Sequence, residues 1–289
     1  MSNAIIIGTG KIGIDLYIKL KKKKVFENIL IFNNNQNSEG AKYCQKKNFS
    51  YFNTGIKGVE KNLDKCKVIF DCTSASSNSA IIKKLKKKIK DIYYLNLTPS
   101  KFGDFVVPYF INTDIPKKIN LITCGGQTSI PIISYFRKKF KKKLKYVELV
   151  SSISAKSAGP ATRKNIDEYI TNTERAINKL TEIKRNKVII NINPSDPPVN
   201  MMNTVFFEFS KPVENREYQE LKKILKSINQ RIKFYIPGYN AILFKSFDRN
   251  ILRVTVRVVG QGDYLPSYAG NLDIITSSAV YLGKLIERN

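Results

Sequence analysis

A glycine-rich turn near the start of the chain constrains its fold more than any other feature. Residues 4–8 are apolar and end in Gly8, and residues 12–24 then show the spacing of an amphipathic helix. A second apolar run at 29–32 completes a βαβ unit of the usual length. The segment between the first run and the helix, Gly8-Thr9-Gly10-Lys11-Ile12-Gly13, therefore carries the G-x-G-x-x-G pattern in the context that it requires.

Each glycine of this pattern has a physical role in binding a dinucleotide. Gly8 permits the tight turn, Gly10 lets the backbone approach a pyrophosphate, and Gly13 lets helix and strand pack closely. The N-terminus of the helix attracts the phosphate charge. We expect a dinucleotide site here, and a glycine turn without a ligand is the alternative.

Asn33 bears on which dinucleotide is bound. It follows the second apolar run, where NAD-preferring proteins have an Asp or Glu that binds the ribose hydroxyls. An amide also hydrogen-bonds a hydroxyl, but it lacks the negative charge that repels a 2′-phosphate. NAD is therefore expected, and NADP stays open.

The apolar runs predict two domains of different class. Over residues 1–125, short strands alternate with helices, which is typical of a Rossmann-type, doubly wound parallel sheet. Over 126–264 the runs are longer and alternate in polarity, which predicts an α+β catalytic and dimerisation domain. A C-terminal helix is expected to return to the first domain, so that residues 265–289 complete it. The predicted strands are 4–8, 29–32, 68–71, 93–97, 119–124, 146–154, 187–193, 204–210 and 251–260, and the predicted helices are 12–24, 38–48, 77–90, 162–182, 214–230 and 270–287.

The charge of the chain raises an alternative class of function. Its 50 Lys and Arg residues against 23 Asp and Glu give a formal net charge of +27, which is typical of a nucleic-acid binder. The lysines lie in segments that also have helical spacing, with little arginine and no aromatic residues placed to stack bases. Lys, Asn and Ile are enriched together, so a compositional bias of the source organism explains the charge at least as well as nucleic-acid binding does. A solvated surface is therefore favoured over a nucleic-acid interface.

Several absences narrow the chemistry and the location. No apolar run approaches the roughly 20 residues of a membrane span, and no basic region of a signal peptide precedes residue 4. We expect a cytoplasmic protein that does not bind membranes. The chain has no histidine, which excludes Ser-His-Asp triads, Cys-His dyads and His-ligated metals. Its four cysteines contain no CxxC pair, so no metal site is expected.

Cys124 is the candidate nucleophile. It ends a predicted strand and is followed by Gly125-Gly126 and a helical run, and a helix N-terminus favours the thiolate form of cysteine. The other cysteines have poorer settings: Cys44 lies in a charged helix, Cys66 on a lysine-flanked turn, and Cys72 just after a buried-type strand. A small core residue is the alternative interpretation of Cys124.

Two further segments contain small residues at predicted turns. Residues 151–168, SSISAKSAGPATRKNIDE, form a loop that enters a helix, with Thr162 or Ser157 as candidate caps. Gly270 and Asn271 mark a turn before the final helix. Small residues permit the close approach of a planar ligand, and a purely structural loop is the alternative.

Together these motifs resemble one family. GTGKIG, TCGGQTSIP, SSISAKSAGPATRKNIDE and YLPSYAGNLDI occur in an order and at spacings similar to those of acylating acetaldehyde dehydrogenases, which partner 4-hydroxy-2-oxovalerate aldolase in meta-cleavage pathways of aromatic hydrocarbon catabolism. Smaller blocks agree, including FDCTSA, LTPSKFGDFVVP and INPSDPPVNMMNTVFF. The resemblance runs nearly from end to end.

This resemblance implies an activity, partners and site residues. Acetaldehyde or propanal would be oxidised with NAD and coenzyme A to acyl-CoA, through a thioester on Cys124. Backbone N–H groups after Cys124 would stabilise the developing oxyanion. A homodimer, and a complex with the aldolase, are also implied. The implied cofactor-binding residues are Thr9, Gly10, Lys11, Ile12, Ser157, Ala158, Gly159, Pro160, Ala161, Thr162, Arg163, Lys164, Asn165 and Asn271.

Two positions depart from the pattern of the family, and each supports an alternative function. The family carries an acid near Asn203 and usually near Asn33. If the acid at 203 assists proton removal from the cysteine, Asn203 cannot do so, and reduced activity is expected. A catalytically weakened NAD-binding relative, or a non-catalytic protein that binds nucleic acid, is therefore one alternative.

Phosphorylating enzymes are the other alternative. Aspartate-semialdehyde and glyceraldehyde-phosphate dehydrogenases share the two-domain plan and the cysteine, but they rely on a histidine to activate it. Because the chain has no histidine, coenzyme A is favoured over phosphate as the acyl acceptor.

Overall fold

The chain forms two compact units. The computed structural model describes residues 3–141, 143–246 and 248–288. The first unit comprises residues 1–121, 263–265 and 275–289, and the second comprises 122–262 and 266–274. The expected domains, 1–125 completed by 265–289 and 126–264, stay a prediction, because compactness alone does not make a unit a domain.

A parallel sheet is the centre of the first unit. Its strands are β1 (Asn3–Ile7), β2 (Asn28–Phe32), β3 (Tyr51–Phe52), β4 (Cys66–Asp71), β5 (Tyr93–Asn96), β6 (Asp104–Phe105) and β7 (Lys118–Asn120). The seven strands follow the order β3-β2-β1-β4-β5-β7-β6, and every pair is parallel. The order runs in opposite directions from β1, so the predicted Rossmann-type topology is confirmed.

Helices connect these strands. They are α1 (Lys11–Lys22), α2 (Glu39–Lys46), α3 (Gly55–Lys61) and α4 (Ala75–Leu85). Apolar side chains of the strands, such as Ile5, Ile69 and Tyr94, are fully buried in the core. Such near-continuous apolar strands are typical of a parallel sheet that is covered on both faces.

One lysine of the first unit departs from the expected solvated surface. Lys19 is buried, and its Nζ donates a hydrogen bond to Asp15 Oδ2 at 2.5 Å and lies 3.5 Å from Asp263 Oδ2. Thr276 Oγ1 also donates to Asp15 Oδ2, at 2.6 Å. A buried ammonium group requires such partners, since an unpaired charge in the core would be costly.

The second unit has a mixed five-stranded sheet. Its strands are β8 (Leu144–Ser154), β9 (Asn186–Asn193), β10 (Met201–Phe209), β11 (Tyr239–Lys245) and β12 (Ile251–Val258), and its helices are α5 (Cys124–Lys139), α6 (Pro160–Lys164), α7 (Ile166–Thr181), α8 (Asn215–Lys233) and the start of α9 (Gly270–Arg288). The order is β11-β12-β10-β8-β9, with only β8 and β9 parallel among these described strands. The predicted α+β class is confirmed.

Alternation along β10 shows that this sheet has one covered face. Val205 and Phe207 are buried against the helices, whereas Met202 and Glu208 are exposed on the opposite face. Within the described ranges, no helix is both long and apolar enough to cross a membrane.

Some predicted elements differ from the structure. The strand expected over 119–124 ends at Asn120, and Cys124 begins α5 instead of ending a strand. Cys66 is the first residue of β4 and does not lie on a turn. Four short or irregularly patterned elements were not predicted from the sequence, namely β3, α3, β6 and β11.

Two predicted turns also differ. The helix expected over 162–182 is divided at Asn165 into α6 and α7, and α6 is capped by Gly159 and begins at Pro160, so neither Thr162 nor Ser157 is its cap. Gly270 and Asn271 form the first turn of α9 and do not precede it.

Candidate active site

The turn before α5 sets the position of Cys124. Ile122 has a φ of +60°, which is unfavourable for a β-branched residue by about 1–3 kcal/mol. Thr123 then caps the helix, because its Oγ1 accepts a hydrogen bond from the backbone N–H of Gly126 at 3.1 Å. The cysteine is therefore held at the N-terminus of a 16-residue helix.

A cluster of hydroxyl groups lies beside the cysteine. Tyr169 Oη of α7 is 3.7 Å from Cys124 Sγ, and it donates a hydrogen bond to Ser151 Oγ of β8 at 2.9 Å. Thr123 Oγ1 lies 2.7 Å from Thr173 Oγ1. We call Ser151, Tyr169, Thr123 and Thr173 the hydroxyl cluster. Cys124 is 8% exposed and Tyr169 is 7% exposed, so these groups interact in a largely water-excluded space.

Gly125 leaves the space that the Tyr169 hydroxyl occupies. A Cβ at position 125 would lie 2.4 Å from Tyr169 Oη and 2.8 Å from Ser151 Oγ, which is closer than real side chains approach. Since neither hydroxyl can approach this closely when a side chain is present, the hydroxyl cluster requires the glycine after the cysteine.

The pKa of Cys124 is governed by burial. Burial raises the pKa of its thiol to about 11, whereas a hydrogen bond with Tyr169 and the backbone N–H groups of Gly125 and Cys124 lower it. The resting cysteine is therefore a thiol at neutral pH. The backbone donors at the helix N-terminus favour the thiolate, as expected, but desolvation outweighs them in the resting protein.

Two of the backbone N–H groups that follow Cys124 already bond within the protein and do not face the sulfur. Gly126 N–H is used by Thr123 Oγ1, and Gln127 N–H donates to the Thr123 carbonyl at 2.9 Å. The N–H groups of Cys124 and Gly125 face the sulfur. Of the donors predicted after Cys124, Gly125 N–H faces the sulfur, and Cys124 N–H is a further donor that was not predicted.

The pKa alone does not distinguish the four cysteines. Burial also raises the pKa of Cys44 to about 11, that of Cys66 to about 12, and that of Cys72 well above its ordinary value. Position does distinguish them, because Cys124 is the one of the four that begins a helix.

Asn203 supports α5 and does not touch the sulfur through any described contact. It is fully buried on β10, and its Nδ2 donates to Thr128 Oγ1 at 2.5 Å. Thr128 Oγ1 in turn donates to the backbone carbonyls of Cys124 and Gly125, at 2.9 and 3.0 Å. In the described part of the chain, Asn203 therefore contacts Cys124 only indirectly, through Thr128 and the backbone carbonyl groups of the first turn of α5.

The glycine turn of the first unit has the geometry that its pattern predicts. Gly8 has a φ of +107°, a conformation that L side chains rarely adopt. A Cβ at Gly13 would lie 2.1 Å from the Gly8 carbonyl oxygen, whereas a Cβ at Gly10 would meet nothing within 4 Å. Gly10 caps α1, and Lys11 and Ile12 are its first residues. The open space at Gly10 suits the pyrophosphate of a dinucleotide.

Asn33 links this turn to a cavity. Its Nδ2 donates to Thr9 Oγ1 at 2.7 Å, to the Asn35 carbonyl at 3.0 Å and to Ser38 Oγ at 3.2 Å. The cavity has a volume of about 410 Å³. Residues that line it include Gly8, Asn33, Thr54, Lys57, Thr73 and Lys84. The described lining contains two lysines and no carboxylate, so it suits an anionic ligand.

The remaining predicted cofactor residues lie in the second unit. Ser157 Oγ donates to the Ser154 carbonyl at 2.8 Å, Ala158 is buried, and Arg163 Nε donates to the Ala158 carbonyl at 3.1 Å. Gly159 is followed by Pro160, Ala161, Thr162, Arg163 and Lys164 of α6 and by Asn165; the side chains of Pro160 and Ala161 lie outside the described part of the structure. Thr9, Gly10, Lys11 and Ile12 belong to the first unit.

Asn271, a predicted cofactor-binding residue, has a buried acceptor without a partner in the described part of the chain. It is 4% exposed in the first turn of α9, and its Oδ1 has no hydrogen-bond partner among the described residues. A buried acceptor without a donor is costly, so it fits a ligand that supplies one.

A second polar network was missed in the sequence. Asp71 Oδ2, at the end of β4, accepts hydrogen bonds from Tyr94 Oη at 2.6 Å and Asn78 Nδ2 at 2.8 Å, and Asp71 Oδ1 accepts from the Thr73 backbone and hydroxyl. Ser100 Oγ donates to Asn78 Oδ1 at 2.6 Å. The available signal for this network was Asp71, a carboxylate at the end of the apolar run VIFD.

Comparison with known proteins gives a consistent result. The family model described as prokaryotic acetaldehyde dehydrogenase, dimerisation, matches residues 124–266. The acetaldehyde dehydrogenase of Pectobacterium atrosepticum is 37% identical over 288 residues, covering 97% of this chain and 94% of the relative. That of Bacillus cereus is 38% identical over 283 residues, covering 97% and 92%.

A solved structure has a similar fold. The crystal structure of aspartate semialdehyde dehydrogenase II from Vibrio cholerae, complexed with ASA, superposes with a TM-score of 0.63 and covers 99% of this chain and 98% of its own. At 10% identity this likeness concerns the fold alone.

Proposed function

The chain belongs to the acetaldehyde dehydrogenase family, and from this premise we propose that it oxidises acetaldehyde or propanal to the acyl-CoA, with a nicotinamide dinucleotide and coenzyme A as co-substrates. The observation that carries the proposal is the place of Cys124, whose sulfur lies at the N-terminus of α5 and 3.7 Å from a buried hydroxyl. The chain thus has a nucleophile at a helix N-terminus, as covalent aldehyde oxidation requires.

Cys124 acts as the nucleophile. Its sulfur, having lost the thiol proton, attacks the aldehyde carbon and forms a carbon–sulfur bond, and the carbonyl oxygen becomes an oxyanion that takes up a proton. The N–H groups of Cys124 and Gly125 stabilise that oxyanion. A bound dinucleotide would supply the acceptor for the hydride of the thiohemiacetal, and release of the hydroxyl proton to water would leave a thioester on Cys124. The coenzyme A thiol attacks this thioester, and Cys124 departs and regains its proton.

The dinucleotide is held by the glycine turn in this proposal. Two observations support it: the positive φ of Gly8 and the open space at Gly10. Asn271 is a binding residue that the family resemblance implies. Lys11 and Ile12, and the segment from Ser157 to Asn165, are the further binding residues that the family resemblance implies. NAD is the proposed acceptor, and NADP is the alternative because Asn33 carries no charge.

Coenzyme A, and not phosphate, is the proposed acyl acceptor. The phosphorylating enzymes of similar plan use a histidine beside the cysteine, and this chain has none. Beside the sulfur lies the uncharged hydroxyl of Tyr169, which is hydrogen-bonded to Ser151. The absence of histidine is therefore the feature that supports coenzyme A.

A homodimer is proposed through the open face of the five-stranded sheet. The matched family model is described as a dimerisation region. Met202 is 44% exposed and Ile242 is 49% exposed on this face, and Phe206 lies between Glu148 and Arg253 of the neighbouring strands. Ile242→Asp should shift the protein from dimer to monomer in sedimentation velocity, whereas a dimer that persists would contradict this interface.

A complex with 4-hydroxy-2-oxovalerate aldolase is the proposed heterologous partnership. It is implied by the resemblance to enzymes that receive their aldehyde from that aldolase. Co-purification of the two proteins from the source cell would support it. Migration of this protein as a dimer alone, in the presence of the aldolase, would count against it.

Reduction of NAD measures the proposed activity directly. The protein mixed with NAD, coenzyme A and acetaldehyde should form NADH, and Cys124→Ala should lower the rate at least about 1,000-fold. Cys44→Ala, which removes another buried thiol, should retain the activity. No NADH in the wild type would favour the weakened relative, and NADH that depends on phosphate instead of coenzyme A would favour the phosphorylating alternative.

A further inference from the structure

Tyr169 stands between Cys124 and Ser151 as the middle of a three-atom chain. Its Oη lies 3.7 Å from Cys124 Sγ on one side and 2.9 Å from Ser151 Oγ on the other. A phenol has one proton to donate and can accept hydrogen bonds at its oxygen. Tyr169 can therefore donate to only one of these neighbours at a time.

The direction of this chain depends on the state of the cysteine. In the resting geometry Tyr169 donates to Ser151 Oγ. With a thiol, its oxygen then accepts from the S–H group, which lies at 3.7 Å. A thiolate only accepts hydrogen bonds. When the thiol proton passes to solvent water, the Tyr169 O–H group turns to the sulfur, and Ser151 donates to Tyr169 Oη.

Tyr169 stays protonated throughout this exchange. Burial raises its pKa well above the ordinary value, and the nearby Cys124 raises it further, while the Ser151 and Thr123 hydroxyls act in the opposite direction. Its hydroxyl thus remains a donor at every pH at which the cysteine reacts.

Other groups packed against α5 do not replace this donor. On α8, Glu220 pairs with Lys139 at the far end of α5, and on β10, Asn203 reaches the helix through Thr128. On β8, Ser151 bonds the Tyr169 hydroxyl and carries no charge. Among the described residues, Tyr169 is the one side chain that changes the pKa of Cys124 by a direct interaction.

We propose that the Tyr169 hydroxyl, oriented by Ser151, donates a hydrogen bond to the Cys124 thiolate and so sets the pH at which this cysteine reacts. Tyr169 is then a catalytic residue that touches the reacting sulfur, and Ser151 is a positioning residue that acts through it. The proposal rests on the proposed function in that Cys124 is the nucleophile.

The rate of Cys124 alkylation by iodoacetamide tests this role without substrates. Mass spectrometry of the peptide that contains Cys124 separates its modification from that of the other cysteines. Because the reactive form is the thiolate, the wild-type rate should rise about tenfold per pH unit between pH 7 and 10. Tyr169→Phe should move this profile upward by about one pH unit, which is about a tenfold slower rate at pH 8.

Tyr239→Phe is the matched control. The Tyr239 hydroxyl is also buried and bonds the same helix, at the Thr128 carbonyl 2.9 Å away, but it is not in the chain of groups at the sulfur. Its profile should match the wild type. An unshifted profile for Tyr169→Phe, or equal shifts for both variants, would overturn the proposal.

Ser151→Ala keeps the proposal testable if Tyr169→Phe does not fold. It leaves the Tyr169 hydroxyl in place and removes its orienting partner, so the alkylation rate at pH 8 should fall about threefold. An unchanged rate would overturn the role of the pair. Since alkylation needs neither aldehyde nor coenzyme A, an inactive wild-type enzyme would count against the proposed function and not against this hydrogen bond.

Discussion

The glycine turn of the first unit and the hydroxyl cluster of the second unit are built by opposite means. The turn is a contiguous segment, Gly8 to Gly13, which acts through backbone atoms and leaves open space at Gly10. The hydroxyl cluster joins residues as far apart as Cys124 and Tyr169, acts through side chains, and leaves no room for a Cβ at Gly125. Glycine therefore reserves space for a ligand in one region and for a side chain of the protein itself in the other.

Gly125→Ala should have the largest effect, because it fills the space of a side chain. The new Cβ would displace the Tyr169 hydroxyl, lowering the free energy of unfolding by about 1–3 kcal/mol. NADH formation should fall about 100-fold, since the reacting group is misplaced. Denaturant unfolding and steady-state rates measure the two effects.

A compensating variant sharpens this prediction. Because the closest contact is with the Tyr169 hydroxyl, Gly125→Ala combined with Tyr169→Phe should be more stable than Gly125→Ala alone. If the losses of stability from Gly125→Ala and Tyr169→Phe simply add, the Tyr169 hydroxyl is not the group for which Gly125 leaves space.

Substitution of glycine by alanine in the glycine turn should affect protein stability at one position and dinucleotide binding at another. Gly10→Ala should leave the free energy of unfolding within about 0.5 kcal/mol but raise the KM for the dinucleotide about tenfold, because its Cβ occupies ligand space. Gly13→Ala should instead cost more than about 2 kcal/mol, since its Cβ meets the Gly8 carbonyl oxygen. Equal losses of stability in both variants would contradict the prediction that Gly10 borders ligand space and Gly13 borders protein atoms.

Asn33→Asp should change the choice of dinucleotide moderately. A carboxylate beside the cavity would repel a 2′-phosphate, so the ratio of kcat/KM for NAD to that for NADP should rise about tenfold, or about 1.4 kcal/mol. Since Asp cannot donate to Thr9 and the Asn35 carbonyl, we also expect a loss of about 1 kcal/mol in stability. A ratio that stays constant would mean that Asn33 does not face the ribose.

Asn203→Asp should have the smallest effect. Asn203 bonds Thr128, and its influence on Cys124 passes through backbone carbonyls, so kcat should change less than about threefold. An increase above about tenfold would instead indicate that the acid typical of the family is the missing proton acceptor, and that the hydroxyl cluster is secondary.

The contrast also explains which features the sequence could predict. The βαβ unit, the parallel sheet and the glycine turn follow from patterns within about 30 residues, where local apolar spacing and glycine positions determine the backbone. The family could be predicted as well, because several motifs occur in a fixed order.

The surroundings of Cys124 could not be predicted in the same way. Ser151 and Tyr169 lie on a strand and a helix that meet α5 only in the folded unit, and no spacing along the chain brings them together. The strand expected to end at Cys124 fails for a related reason: the positive φ of Ile122 starts the helix after a break that a β-branched residue does not signal.

The burial of Cys124 has a consequence for oxidative damage. Peroxides attack the thiolate and not the thiol, and burial raises the pKa of Cys124 to about 11, so the thiol predominates at pH 7. We therefore expect the resting protein to form sulfenic acid slowly. Inactivation by peroxide should follow turnover, when the sulfur gives up its proton, so the substrate-free protein is the form that survives oxidative stress.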